Sequence, residues 1–123
     1  MKILLADDEP DILRLYREML EGSGYEVATA TDGQEALDRF AAGDFDLVVM
    51  DLHMPNLNGA ECVAQMQKQR PDVPVIVMTG YYPDDAVVDQ FRELGLEVPY
   101  TLRKPVTITT MWNAISHIQA GDR

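Results

Sequence analysis

The sequence predicts an α/β fold, a doubly wound five-stranded parallel sheet with helices on both faces. Two observations carry this expectation. Short apolar runs of strand length alternate with longer segments whose apolar residues recur at i, i+3 and i+4. Such alternation demands βα crossovers, which pair strands in parallel and lay helices over the sheet. A third feature points to where the function lies: several of the apolar runs end on a polar residue.

Taken in order, the strand candidates are "KILLA" (2–6), "YEVATA" (25–30), "FDLVVMD" (45–51), "VPVIVMT" (73–79) and the weaker "PYTLR" (99–103). Between and after them lie five helical stripes. The first carries Ile12, Leu15, Tyr16, Met19 and Leu20, and the second Ala36, Leu37 and Phe40. Val63 and Met66 mark the third, Val87, Val88, Phe91 and Leu94 the fourth, and Ile108, Met111, Ile115 and Ile118 the last, with a start at Thr107. Gly22, Gly43 and Gly95 are placed to end helices, and Pro10 and Pro83 to begin them. No repeat, low-complexity tract or linker interrupts the pattern, so residues 1–123 are expected to form one domain.

Charge narrows the function classes. Ten basic residues against 21 acidic ones give a net charge of −11, which repels phosphate backbones and anionic membranes. Neither direct nucleic-acid binding nor a membrane role is expected. Cys62 is the only cysteine, so no intrachain disulfide is possible. The start, "MKILLADDEP", is too short an apolar stretch for a signal peptide, and a cytoplasmic location follows as the expectation.

In an open parallel sheet the binding site lies beyond the carboxyl ends of the strands, where the strand order reverses. Asp7, Asp8 and Glu9 follow the first strand, Asp51 ends the third, Thr79 ends the fourth, and Lys104 and Pro105 follow the fifth. Taken singly, each reads equally well as a helix cap, turn or surface residue. Together at one sheet edge they have a chemistry. Clustered carboxylates call for a cation, and hard oxygen ligands without His or Cys favour Mg²⁺. A lysine ammonium and a threonine hydroxyl beside them suit the oxygens of a phosphoryl group, with Asp51 placed as the nucleophile.

At these positions the chain resembles the receiver domains of two-component response regulators, typified by the single-domain chemotaxis regulator. The motifs are "LLADDEP", "DLHMPNLNG", "VIVMTG" and "RKP", in that order along the whole chain. The resemblance implies the flavodoxin-like, receiver-type sheet, Asp51 as phosphate acceptor, and a sensor histidine kinase or histidine phosphotransfer protein as donor. It implies Mg²⁺ held by Asp7, Asp8, Asp51 and the backbone carbonyl of His53, with Lys104 pairing the phosphoryl group and Thr79 moving to hydrogen-bond it. It also implies a cis Lys104–Pro105 bond and a switch through the fourth helix, fifth strand and fifth helix, a face through which a homodimer can form. Such a protein is a signalling switch for a downstream partner or effector domain, and its only catalysis is its own phosphorylation and slow dephosphorylation.

The departures are equally legible. The spacing from Thr79 to Lys104 is longer than usual for such domains, and Thr101 stands three before the lysine where they carry an aromatic, with Tyr100 beside it. His53 and Tyr81 occupy the two positions that tune hydrolysis in relatives. Of the rival readings, a flavodoxin-like electron carrier needs a phosphate loop that "ADDEP" would repel, and a dehalogenase-type phosphatase needs its nucleophile on the first strand. The closest alternative is a pseudo-receiver that docks partners without phosphorylation.

Overall fold

The computed structural model describes residues 1–54, 58–80 and 84–119, with only the backbone described over 84–88. Pro55, Tyr81, Pro83 and the end of the chain from 120 therefore lie outside the described residues, as do the side chains of Val87 and Val88. The strands are β1 (Lys2–Ala6), β2 (Glu26–Ala30), β3 (Leu47–Asp51), β4 (Val75–Thr79) and β5 (Tyr100–Arg103). The helices are α1 (Pro10–Gly22), α2 (Gly33–Ala42), α3 (Gly59–Gln69), α4 (Asp84–Glu93) and α5 (Ile108–Gln119). All pairings are parallel, in the order β2-β1-β3-β4-β5, so the order reverses between β1 and β3.

The two-residue period of the strands splits the core in two. Ile3, Leu5, Leu47, Val49, Ile76 and Met78 face α1 and α5, packing with Leu13, Leu20, Met111 and Ile115. Leu4, Val48, Met50, Val75 and Val77 face the other way, onto Phe40 of α2, Val63 and Met66 of α3, and Phe91 of α4. Strands covered on both faces have no polar side, which is why β3 and β4 read as unbroken apolar runs.

Five boundaries differ from the sequence reading: β2 and β5 each begin one residue later, at Glu26 and Tyr100, and the other three have a local reason. β3 begins at Leu47 rather than Phe45, because Asp46 is engaged at the strand's entry: its N–H donates to the Lys2 carbonyl and its carboxylate accepts from the Lys2 N–H. β4 begins at Val75, since Pro74 has no N–H to give to a ladder, although its carbonyl still accepts from Val48. α1 runs through Gly22, and Gly24, at φ +93°, makes the left-handed turn that ends it. Gly95, at φ +70°, does the same after α4. Thr107 precedes α5 as its cap, its hydroxyl accepting from the Thr110 N–H at 3.1 Å.

Candidate metal and phosphoryl site

The reversal of strand order opens a cleft of about 390 Å³ at the carboxyl edge of the sheet, lined by Asp8, Tyr16, Asp51, His53, Gly80 and Lys104 among others. Register explains the meeting of the first two carboxylates. Ala6 pairs with Met50, so the next position along each strand brings Asp7 beside Asp51. Both are buried, Asp7 completely, while Asp8 is half-buried.

Asp7 and Asp51 use their oxygens in the same way. One oxygen of each accepts from a backbone N–H two residues on, Glu9 to Asp7 Oδ1 at 3.0 Å and His53 to Asp51 Oδ1 at 2.9 Å. These local turns fix both carboxylates before any long-range partner is added. The other oxygens share one cation: Lys104 Nζ donates to Asp7 Oδ2 at 2.7 Å and to Asp51 Oδ2 at 2.9 Å. Its backbone is fixed too, since the Lys104 N–H donates to the Thr79 carbonyl at 2.7 Å, one step past the Thr79–Arg103 ladder row.

The charge balance is uneven. Asp7, Asp8 and Asp51 each offer an oxygen within 4.8 Å of the others'. Three ionised carboxylates against one ammonium leave two negative charges uncompensated, which one dication would neutralise. The donor set consists of hard oxygens with no imidazole or thiolate. These residues fit a divalent cation of the magnesium kind. Without one, burial pushes the Asp7 carboxyl up, outweighing the Lys104 and Glu9 hydrogen bonds that pull it down, and the Asp51 charge adds to the rise. For Lys104, burial opposes the ammonium, but the hydrogen bonds to Asp7 and Asp51 and their charges prevail and raise its pKa.

The remaining sequence-predicted residues divide. Thr79 is fully buried beside the cluster, yet its hydroxyl donates to the Leu102 carbonyl of β5, at 3.5 Å, rather than to Asp51 or Lys104. His53 is exposed at the rim, its ring so near Gly80 that a Cβ there would lie 3.5 Å from His53 Cδ2. The Lys104–Pro105 bond is cis. Tyr100 and Thr101 are not brought to the cleft. They pair with Ile76 and Val77 near the opposite end of the strand, where Tyr100 packs edge-on against His117 and the Thr101 hydroxyl donates to the Pro99 carbonyl. Tyr16, counted in the sequence only as part of an apolar stripe, lines the cleft. The signal was its hydroxyl, which a buried stripe must satisfy.

A family model for the response regulator receiver domain matches residues 3–116. Among curated proteins, the alkaline phosphatase synthesis transcriptional regulatory protein PhoP of Bacillus subtilis is 42% identical over 97 residues, covering 79% of this chain and 38% of PhoP. The chain thus spans little more than a third of the length of the curated relatives it matches. Among solved structures, a receiver domain protein of Clostridium thermocellum is 33% identical with a TM-score of 0.81, covering 97% of each chain. The response regulator TrrA of Thermotoga maritima, in complex with Mg²⁺ and BeF, is 30% identical with a TM-score of 0.81, covering 95% of this chain and 97% of that one.

Proposed function

The chain belongs to the response regulator receiver domain family of two-component systems, and from that membership we propose that it acts as a single receiver domain, residues 1–123, phosphorylated on Asp51. The donor is a phosphohistidine of a sensor kinase or histidine phosphotransfer protein. An Asp51 carboxylate oxygen attacks phosphorus, the P–N bond breaks, and its electron pair leaves on the imidazole.

The observation that carries this reading is the shared ammonium: Lys104 Nζ at 2.9 Å from Asp51 and 2.7 Å from Asp7. A cation held between two fixed carboxylates is already at the place where phosphoryl charge would arrive, so little reorganisation is needed. Magnesium bound by Asp7, Asp8, Asp51 and the His53 carbonyl would supply charge neutralisation for the phosphoryl oxygens. That TrrA, 30% identical, is in complex with Mg²⁺ and BeF supports magnesium as the cation of such a domain.

Thr79 carries the signal outward. Its hydroxyl spends its proton on a 3.5 Å contact to Leu102, long for an O–H donor and so cheap to give up. A phosphoryl oxygen on Asp51 offers a stronger, charged acceptor, and turning toward it gives up the hydroxyl's contact with Leu102 on β5. The two arrangements need differ by only a few kcal/mol for phosphorylation to shift the population and change which partner or effector surface is presented.

Incubation with acetyl phosphate and Mg²⁺, read by intact mass, tests this directly. Wild-type protein is expected to gain one phosphoryl group and Asp51→Asn none. Equal labelling of both would refute the acceptor, and labelling of neither by any phosphodonor would favour a docking module that works without phosphate.

A further inference from the structure

Tyr16 is the one polar tip in the buried stripe of α1, between Leu13 and Leu20, and it is only 4% exposed. Its hydroxyl meets a backbone group 90 positions away: the Val106 N–H donates to Tyr16 Oη at 3.3 Å. Val106 is itself buried, so this N–H has no ready access to water. The residue before it, Pro105, has no N–H, and the one before that is Lys104.

The strand-to-helix segment carrying Lys104 is therefore fixed at two points, one on either side of Pro105. On the near side Lys104 N–H is held by the Thr79 carbonyl of β4, and on the far side Val106 N–H by Tyr16 of α1. Lower down, α5 itself is tied to the end of α1, where Trp112 Nε1–H of α5 donates to Ser23 Oγ at 2.6 Å and Ser23 Oγ donates to the Met19 carbonyl. A lysine side chain has four rotatable bonds beyond its backbone, so the position of its ammonium depends on how firmly its root is held.

We propose that Tyr16 is a positioning residue for Lys104: from α1, its hydroxyl holds the backbone that follows Pro105, so that the ammonium stays between Asp7 and Asp51. The proposal rests on the reading above, in which that ammonium meets the phosphoryl group. It assigns α1 a part in the cleft beyond packing, through an atom that a leucine or phenylalanine at this position would lack.

The test uses beryllium fluoride with Mg²⁺ as a phosphoryl mimic, its affinity measured by calorimetry for wild type, Tyr16→Phe, Lys104→Ala and the double variant. Tyr16→Phe is expected to weaken binding roughly three- to tenfold when Lys104 is present and not at all when it is alanine. No weakening beside Lys104, or equal weakening in both backgrounds, overturns the proposal. If wild type binds no beryllium fluoride, the phosphoryl reading fails instead, and the positioning role is read from the NMR signal of the Lys104 ammonium. Tyr16→Phe is expected to shift or broaden that signal, and an unchanged signal overturns the proposal. So does a Val106 amide that exchanges in the wild type as fast as an exposed one, whatever the fate of the variants.

Discussion

Lys104 Nζ lies 2.9 Å from Asp51 Oδ2, across 53 positions of sequence, with Asp7 Oδ2 on its other side at 2.7 Å. One ammonium thus does for two buried carboxylates what water would do at the surface. It also neutralises carboxylate charge that a metal ion would otherwise balance.

Lys104→Ala is expected to destabilise the metal-free protein by about 1–3 kcal/mol, less than a fully buried pair would cost because the lysine is partly hydrated. The same change removes the cation that competes with a metal, so Mg²⁺ is expected to bind several-fold more tightly. Thermal melts in EDTA and across a Mg²⁺ titration read both effects. A variant less stable at every Mg²⁺ concentration, by a constant amount, would contradict this.

Asp7→Asn is expected to act in the opposite direction. The Asp7 carboxyl is raised by burial, so its contribution to stability is fully present below its ordinary value of 3.8 and is lost as pH rises through the folded value. At neutral pH the charged group is therefore a net cost. Asparagine keeps an oxygen for the Glu9 N–H, Asp51 still serves the ammonium, and stability in EDTA is expected to rise. A lower melting temperature at pH 7 would sink the argument, whereas at pH 3 the two proteins are expected to converge.

How much of this was legible beforehand depended on whether a residue's partner is set by topology or by detail. That Asp7, Asp51 and Lys104 would meet followed from strand ends in a parallel sheet, since any such sheet delivers them to one edge. What Thr79 would bond was not legible, because a hydroxyl at a strand end chooses between neighbours by a rotation about one bond. Tyr16 was hidden for a different reason. Its ring obeys the apolar period of α1, and its oxygen finds Val106 only after the β5–α5 connection has closed over it. The glycine that ends α1 slipped from 22 to 24 because periodicity locates a helix's face better than its last turn.

Mg²⁺ is expected to stabilise the wild type by mass action, by about 1.4 kcal/mol at tenfold excess over its dissociation constant. Asp8, half-buried at the cleft edge, belongs to the carboxylate set and has no hydrogen bond or ion pair to another described residue. Asp8→Ala is therefore expected to abolish the Mg²⁺-dependent shift in melting temperature while leaving the metal-free melt nearly unchanged. A magnesium shift that survives Asp8→Ala, or that sodium chloride reproduces at equal ionic strength, would count against the site.

Cys62 lies in α3, 2% exposed, its thiol against the Gly33 carbonyl at 4.0 Å, and burial pushes its pKa up to about 11 from an ordinary 9.0. A raised folded value means that its contribution to stability is complete below pH 9 and is lost as pH rises toward 11. Lys104, also raised, loses its own contribution only above 10.5, so the interval from pH 9 to 10.5 belongs to the thiol. Over that interval the wild type is expected to lose about 1.5 kcal/mol more than Cys62→Ala, less than the limiting 1.36 kcal/mol per pH unit because the unfolded thiol is only half ionised at pH 9. Urea denaturation at half-unit steps of pH measures the difference in slope. Parallel curves for the two proteins would mean that the thiolate forms as readily in the folded chain as in the unfolded one.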